Sequence, residues 1–215
     1  MQKRRPRPPF FWVCYSTVMK TLPACLLAFA SASHAATGQP VPGDYWVYQS
    51  LYQGRDERGP VVRAHQLRVS VEGYNTLGKP IISAERLFGL HSDTCLYDIA
   101  TGAELPGEVA CDAPLAPGQS WNAAPPDVNQ GGRQWFSVTG SETLTLGAKH
   151  YQAAVISTIA PLIWPSGYRR STYWYAPEVK GMMKIVHEGM DDHGVVTVTE
   201  TYTLLSFQPA SDTGN

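Results

Sequence analysis

The stretch STYWYAPEVKGMMKIVHEG, residues 171–189, decides the fold. Three consecutive aromatics, Tyr173, Trp174 and Tyr175, are followed by Pro177, Gly181 and an apolar run, which divides the stretch into two extended segments, 171–175 and 182–187. Successive side chains on a strand point to opposite faces, so Tyr173 and Tyr175 share one face and Trp174 takes the other. The expectation is that Trp174 fills the core of a sheet while the tyrosines cover its outer face or an edge, since aromatics are the usual payload of a β core. A functional alternative is that one of these faces lines a ligand cleft.

The same period of two runs through the rest of the chain. Leu67, Val69 and Val71 alternate with Gln66, Arg68, Ser70 and Glu72, which gives one face to the core and one to water. Strand patterns also cover residues 45–52, 81–88, 95–99, 134–139, 142–146 and 151–159, with the longest at 195–207. Charged or glycine-bounded turns separate them, GRDERG at 54–59 and EGMDDHG at 188–194 among them. Residues 102–133 are broken by Gly102, Pro106, Gly107, Pro114, Pro117, Gly118, Pro125, Pro126, Gly131 and Gly132, and read as a long loop. About ten short strands without helical periodicity predict an all-β fold: one strongly curved antiparallel meander sheet, a half-barrel or barrel-like, with few or no helices.

The first 35 residues read as a secretory signal, with basic residues, an apolar stretch at 24–30 and small residues ending Ser33-His34-Ala35. Cleavage is expected after Ala35, whether translation starts at Met1 or Met19. Pro6, Arg7 and Pro8 after Arg4-Arg5 argue against a twin-arginine signal, and Pro23 before Ala24-Cys25 argues against a lipidated cysteine. The reading then assigns residues 36–43 to a linker, 44–210 to one β domain and 211–215 to a polar tail. The expected address is periplasmic or secreted.

Five of the 17 Lys and Arg residues precede Ala35 and none of the 18 acidic residues do, so the mature balance is 12 against 18, a net of −6. That argues against nucleic acid or anionic lipid headgroups as partners, both of which need clustered Lys and Arg. After the signal, no stretch approaches the roughly 20 apolar residues of a membrane-spanning helix. Cys95 and Cys111 form the one even cysteine pair after Ala35, and a disulfide is expected in an oxidising compartment. Closing that loop would contribute about 3 kcal/mol on the chain-entropy account.

Three motifs, LAPGQSW (115–121), SETLTLGAKHYQAAVI (141–156) and YWYAPEVKGMMKI (173–185), occur in this order, and on them the chain resembles the exported TapB-like proteins, a bacterial family of unknown function. The resemblance covers the last half to two thirds of the mature chain and implies an antiparallel β fold in the cell envelope, similar in style to lipid-handling half-barrels. Lys149 and His150 depart from the small-residue turn of that family. The resemblance carries over no catalytic residue.

Polar residues in apolar registers mark the candidate site. Glu200 interrupts the face shared by Val196, Val198, Tyr202 and Leu204, and His187 shares a face with Met183 and Ile185. A buried carboxylate must be paired or hydrogen-bonded. Glu200 could therefore mark a bulge or pair with Arg86 as plain structure; the sharper expectation is that Glu200, His187 and Trp174 converge in a cavity holding a small or lipidic ligand. No zinc motif or nucleophile elbow is present, Cys95 and Cys111 are expected to be bonded to each other, and the acidic run around His193 reads as a solvated turn, so no catalytic residue, metal or cofactor is expected. The leading reading is a non-enzymatic exported protein that binds an apolar or amphiphilic ligand. Its alternative is a protein interaction module of the cell envelope, docking through the apolar loop at 162–164 or an edge strand. A carrier would enclose an apolar cavity beside Trp174, whereas a docking module would show a filled core and an exposed apolar patch.

Overall fold

The computed structural model describes residues 40–76, 80–84, 87–91, 97–98, 103–104, 115–123, 134–162 and 166–211. The expected signal cleavage, the Cys95–Cys111 disulfide, an Arg86 partner for Glu200 and the loop residues Ile163 and Trp164 lie outside the described residues. The strands are β1 Tyr45–Asp56, β2 Gly59–Tyr74, β3 Pro80–Ala84, β4 Leu87–His91, β5 Tyr97–Asp98, β6 Ala103–Glu104, β7 Ser120–Ala123, β8 Gln134–Leu146, β9 Lys149–Leu162, β10 Gly167–Ala176, β11 Gly181–Met190 and β12 Val196–Gln208. Among the described residues the single helical element is a 3-10 turn at Pro177–Val179. The all-β reading therefore holds.

Ten strands form one antiparallel sheet in the order β4-β3-β2-β1-β12-β11-β10-β9-β8-β7, and β5 and β6 pair apart from it. Two meanders, β1 to β4 and β7 to β12, are thus joined at a seam where the first strand pairs with the last, Tyr45 opposite Gln208 and Gln53 opposite Thr199. The free edges are β4 and β7, so the sheet is open in mid-chain. Its curvature is strong: β12 and β8, four strands apart, approach within 8 Å between Cα atoms, where a flat sheet would hold them about 19 Å apart at the ordinary strand spacing.

Alternation puts the core on the inner face. Trp46 and Tyr48 of β1, Leu67, Val69 and Val71 of β2, Ile82 of β3, Phe136 and Val138 of β8, Ile156 of β9, Ile185 of β11 and Leu204 of β12 are buried in one cluster. The aromatic triplet reverses the expectation. Tyr173 and Tyr175 are buried at 3% and 1% exposure, while Trp174 lies half-buried on the other face. Register explains the reversal: Tyr173 stands opposite Ile185 and Trp174 opposite Lys184, whose charge must stay with water. The register then shifts, Tyr175 pairing with Met182, so Met183 is the extra residue of a bulge and two successive methionines are buried.

Polar contacts lock the seam at one end. The Asp44 carboxylate, fully buried, accepts from the backbone N–H groups of Val41 (2.8 Å) and Ala210 (2.8 Å) and from Lys180 Nζ (2.9 Å). Trp46 Nε1 donates to the carbonyl of Val179 at 2.7 Å, and the Tyr48 hydroxyl to that of Met182 at 2.8 Å, both reaching across β12. Lys180 takes a left-handed backbone conformation, φ 52°, and there donates its N–H to Pro177, ending the 3-10 turn. Because removing one partner of a buried pair leaves the other charge uncompensated, Lys180→Met should lower unfolding free energy by about 3 kcal/mol. Tyr48→Phe, which removes one hydrogen bond, should cost about 1 kcal/mol. Urea titrations of both variants measure the difference.

Candidate functional site

Cross-strand register arranges the inner face in tiers that cross the strands. One tier is apolar through most of its width: Val138, Ile156, Tyr173, Ile185, Tyr202, then Ser50 and His65. The next tier toward the β1–β2 and β11–β12 turns is aromatic on β7 and β8, with Trp121 opposite Phe136, and then polar: Thr158 of β9, opposite Phe136, Ser171 of β10, His187 of β11, Glu200 of β12 and Tyr52 of β1 are opposed in sequence, each to the next. A rim tier follows, with Arg169 opposite both Ala160 and Gly189. Gln134 occupies the same tier on β8, opposite Ala123 and one residue beyond the Trp135–Ile159 pair.

His187 sits at the centre of the polar tier. Its Nδ1 is 2.8 Å from Ser171 Oγ, and its ring meets Tyr173 (5.8 Å, 76°) and Tyr202 (6.4 Å, 70°) edge-on. Glu200, directly opposite His187, accepts from the Tyr202 hydroxyl at 2.6 Å. Ser171 and His187 are each 4% exposed, so the tier presents a hydrogen-bonding floor rather than an accessible nucleophile. Four further inner-face groups are buried with no hydrogen-bond partner among the described residues: Ser50 Oγ, Thr158 Oγ1, Gln134 Nε2 and Trp121 Nε1, the last on a ring stacked against Phe136. A buried donor or acceptor left unmade costs about 1–3 kcal/mol, so four on one side of one sheet call for an explanation.

Of the three residues expected to converge, the structure brings together His187 and Glu200 and separates Trp174 from both. Trp174 lies on the outer face, where its Nε1 donates to Glu142 at 2.6 Å and Lys184 Nζ stands 4.6 Å over the ring. It braces β8 to β10 from outside and lines no interior. The carboxylates of Asp191 and Asp192 and His193 come within 4.8 Å of one another, but Asp191 Oδ1 already accepts from the N–H groups of His193 and Val195, as a tight turn requires. Nearby, Arg170 donates to Glu188 at 2.7 Å, and that hydrogen bond and charge hold the guanidinium above its usual pKa.

Beyond Gln53 and Thr199 the seam ladder ends, while β1 stays paired with β2 to Asp56 and β12 with β11 to Val196. The two hairpins part and leave an open cleft of about 240 Å³ lined by Gln53, Gly54, Arg55, Pro60 and residues 196–199, one position past Tyr52 and Glu200. Around this same end, the outer surface exposes Trp135, Ile159, Tyr168, Val195, Val196 and Val62. Sequence reasoning missed Ser50, Gln134, Thr158, Arg169 and Ser171; a small polar residue in a period-two register gives no sign of which face it takes until its cross-strand neighbour is known.

No protein-family model matches the chain, and no curated protein matches it. Among solved structures, the chain is similar to one described as an exported protein with a YmcC-like fold from Bacteroides fragilis, at 12% identity over 80% of this chain and 98% of that one, TM-score 0.42. It is also similar to one described as a lipoprotein from Parabacteroides distasonis, at 11% identity over 80% and 98%, TM-score 0.36.

The face assignment can be tested by paired truncation. Tyr173→Ala should cost about 3–5 kcal/mol, as for a core aromatic. Trp174→Ala should cost no more than about 2 kcal/mol, as for a surface brace. The reverse order in equilibrium denaturation would contradict the tiers described above.

Proposed function

We propose that this chain is an exported envelope protein, without enzymatic activity, that binds an amphiphilic ligand at the polar tier of its curled sheet. Export is the reading of residues 1–35, and the ligand reading is carried by one observation: Ser50 Oγ, Thr158 Oγ1 and Gln134 Nε2 are buried on the inner face with no hydrogen-bond partner among the described residues. A ligand's polar head supplies the missing hydrogen bonds, with His187, Ser171 and Glu200 on the same floor. At the same end, Trp135, Ile159 and Tyr168 are exposed on the opposite face of the sheet.

This reading makes an unusual demand on one variant. Thr158→Val keeps the side-chain shape and removes the unsatisfied hydroxyl, so it should stabilise the ligand-free protein by about 1 kcal/mol and weaken ligand retention. Native mass spectrometry after mild extraction from the producing cell supplies the second measurement: a bound species of lipid mass on the wild type, depleted on Thr158→Val. A wild-type protein that emerges bare, together with a Thr158→Val variant less stable than wild type, would reject the proposal.

A second reading, docking of an envelope protein, is favoured by the filled core and by the exposed apolar residues gathered at one end. Under it, Trp135→Ser with Ile159→Ser abolishes a co-purifying polypeptide and leaves lipid content unchanged.

A further inference from the structure

The rim tier holds a cation without a counter-ion among the described residues. Arg169 is half-buried on the inner face, opposite Ala160 on one side and Gly189 on the other. Among the described residues it forms no ion pair; the outward Glu188 is taken by Arg170, and Glu200 lies two strands away on the next tier, bonded to Tyr202. The small side chain of Ala160 leaves room on the β9 side, whereas on the β11 side Val198 packs over Gly189. Across Ala160, Gln134 brings Nε2, a buried donor with no acceptor, and Thr158, on the diagonal, brings a buried hydroxyl with none.

We infer that Arg169, Gln134 and Thr158 form a receptor for a single negative charge, the carboxylate head of a long-chain fatty acid. This rests on the amphiphile reading above and narrows it. One guanidinium balances one charge, and its planar fork fits the two oxygens of a carboxylate. The other two groups are neutral donors, which stabilise an anion without adding a cation, and an anion placed between Arg169 and Gln134 stays on the side of the sheet away from Glu200. A neutral head would leave the guanidinium half-buried and unpaired. The mature chain's net negative charge is no obstacle, because recognition here is local and short-range.

The test compares two probes that share one hydrocarbon chain, oleate and oleyl alcohol, titrated below micelle formation and read by calorimetry and native mass spectrometry. Wild type should prefer oleate by about ten- to hundredfold, the difference expected of a charge-assisted hydrogen-bond pair. Arg169→Met should remove the preference while leaving oleyl alcohol binding unchanged, and Arg169→Lys should keep part of it. Near-ultraviolet circular dichroism checks that each variant keeps its packing. Equal affinity of wild type for both probes, or a preference for oleate that survives Arg169→Met, overturns the anion receptor and leaves amphiphile binding standing. A stronger response to lysophosphatidylglycerol than to oleate overturns the choice of carboxylate over phosphodiester. Binding of neither chain overturns the amphiphile reading itself.

Discussion

The carboxylate of Asp44 is the constraint on which the rest of the sheet depends. It has no solvent exposure, and it gathers the chain just before β1, the chain just after β12 and the side chain of Lys180 between β10 and β11. These three segments come from opposite ends of the sequence. Without an acceptor there, the first and last strands would meet at an end with unmatched backbone donors, and the seam that joins the two meanders would fray from that side. Trp46 and Tyr48 extend the lock inward, each placing an aromatic body in the core and its polar tip on a carbonyl of the β10–β11 corner.

From that fixed end, the character of the inner face changes in steps. The locked end is aromatic and aliphatic, the middle is crossed by hydroxyls, an imidazole and a carboxylate, and the far end carries Arg169 and Gln134 beside small residues. On the ligand reading proposed above, the gradient separates stability from recognition. Groups that lower the free energy of the fold lie near Asp44, whereas Ser50, Thr158 and Gln134 lie on successive tiers toward the end where the seam parts. Proteins concentrate unfavourable local features at binding sites and offset them elsewhere in the structure.

Much of this was legible in the alternation of residues. The class of fold follows from period two in nearly every segment, and Glu200 and His187 stand out as polar breaks in apolar stripes. What alternation cannot supply is absolute orientation. In Tyr173-Trp174-Tyr175 both faces offer an aromatic, and only the partner strand decides, through Ile185 on one side and Lys184 on the other. The bulge at Met183 disguised that parity further by letting two neighbours share the core. Ser50, Thr158 and Ser171 read as ordinary water-facing positions, because a hydroxyl in a strand is common on either face. The seam between β1 and β12 has no local signature, since its partners lie between 146 (Gln53 and Thr199) and 163 (Tyr45 and Gln208) residues apart.

That separation governs when the molecule can be finished. A sheet whose opening strand waits for its closing one has its costliest loop closure at the end of the process, and folds slowly for its size. For a chain threaded across a membrane from its amino terminus, the delay is useful: the leading strands cannot settle into a completed sheet while the trailing one is still inside the cell. Under the export proposed above, the sheet could close only after β12 had crossed.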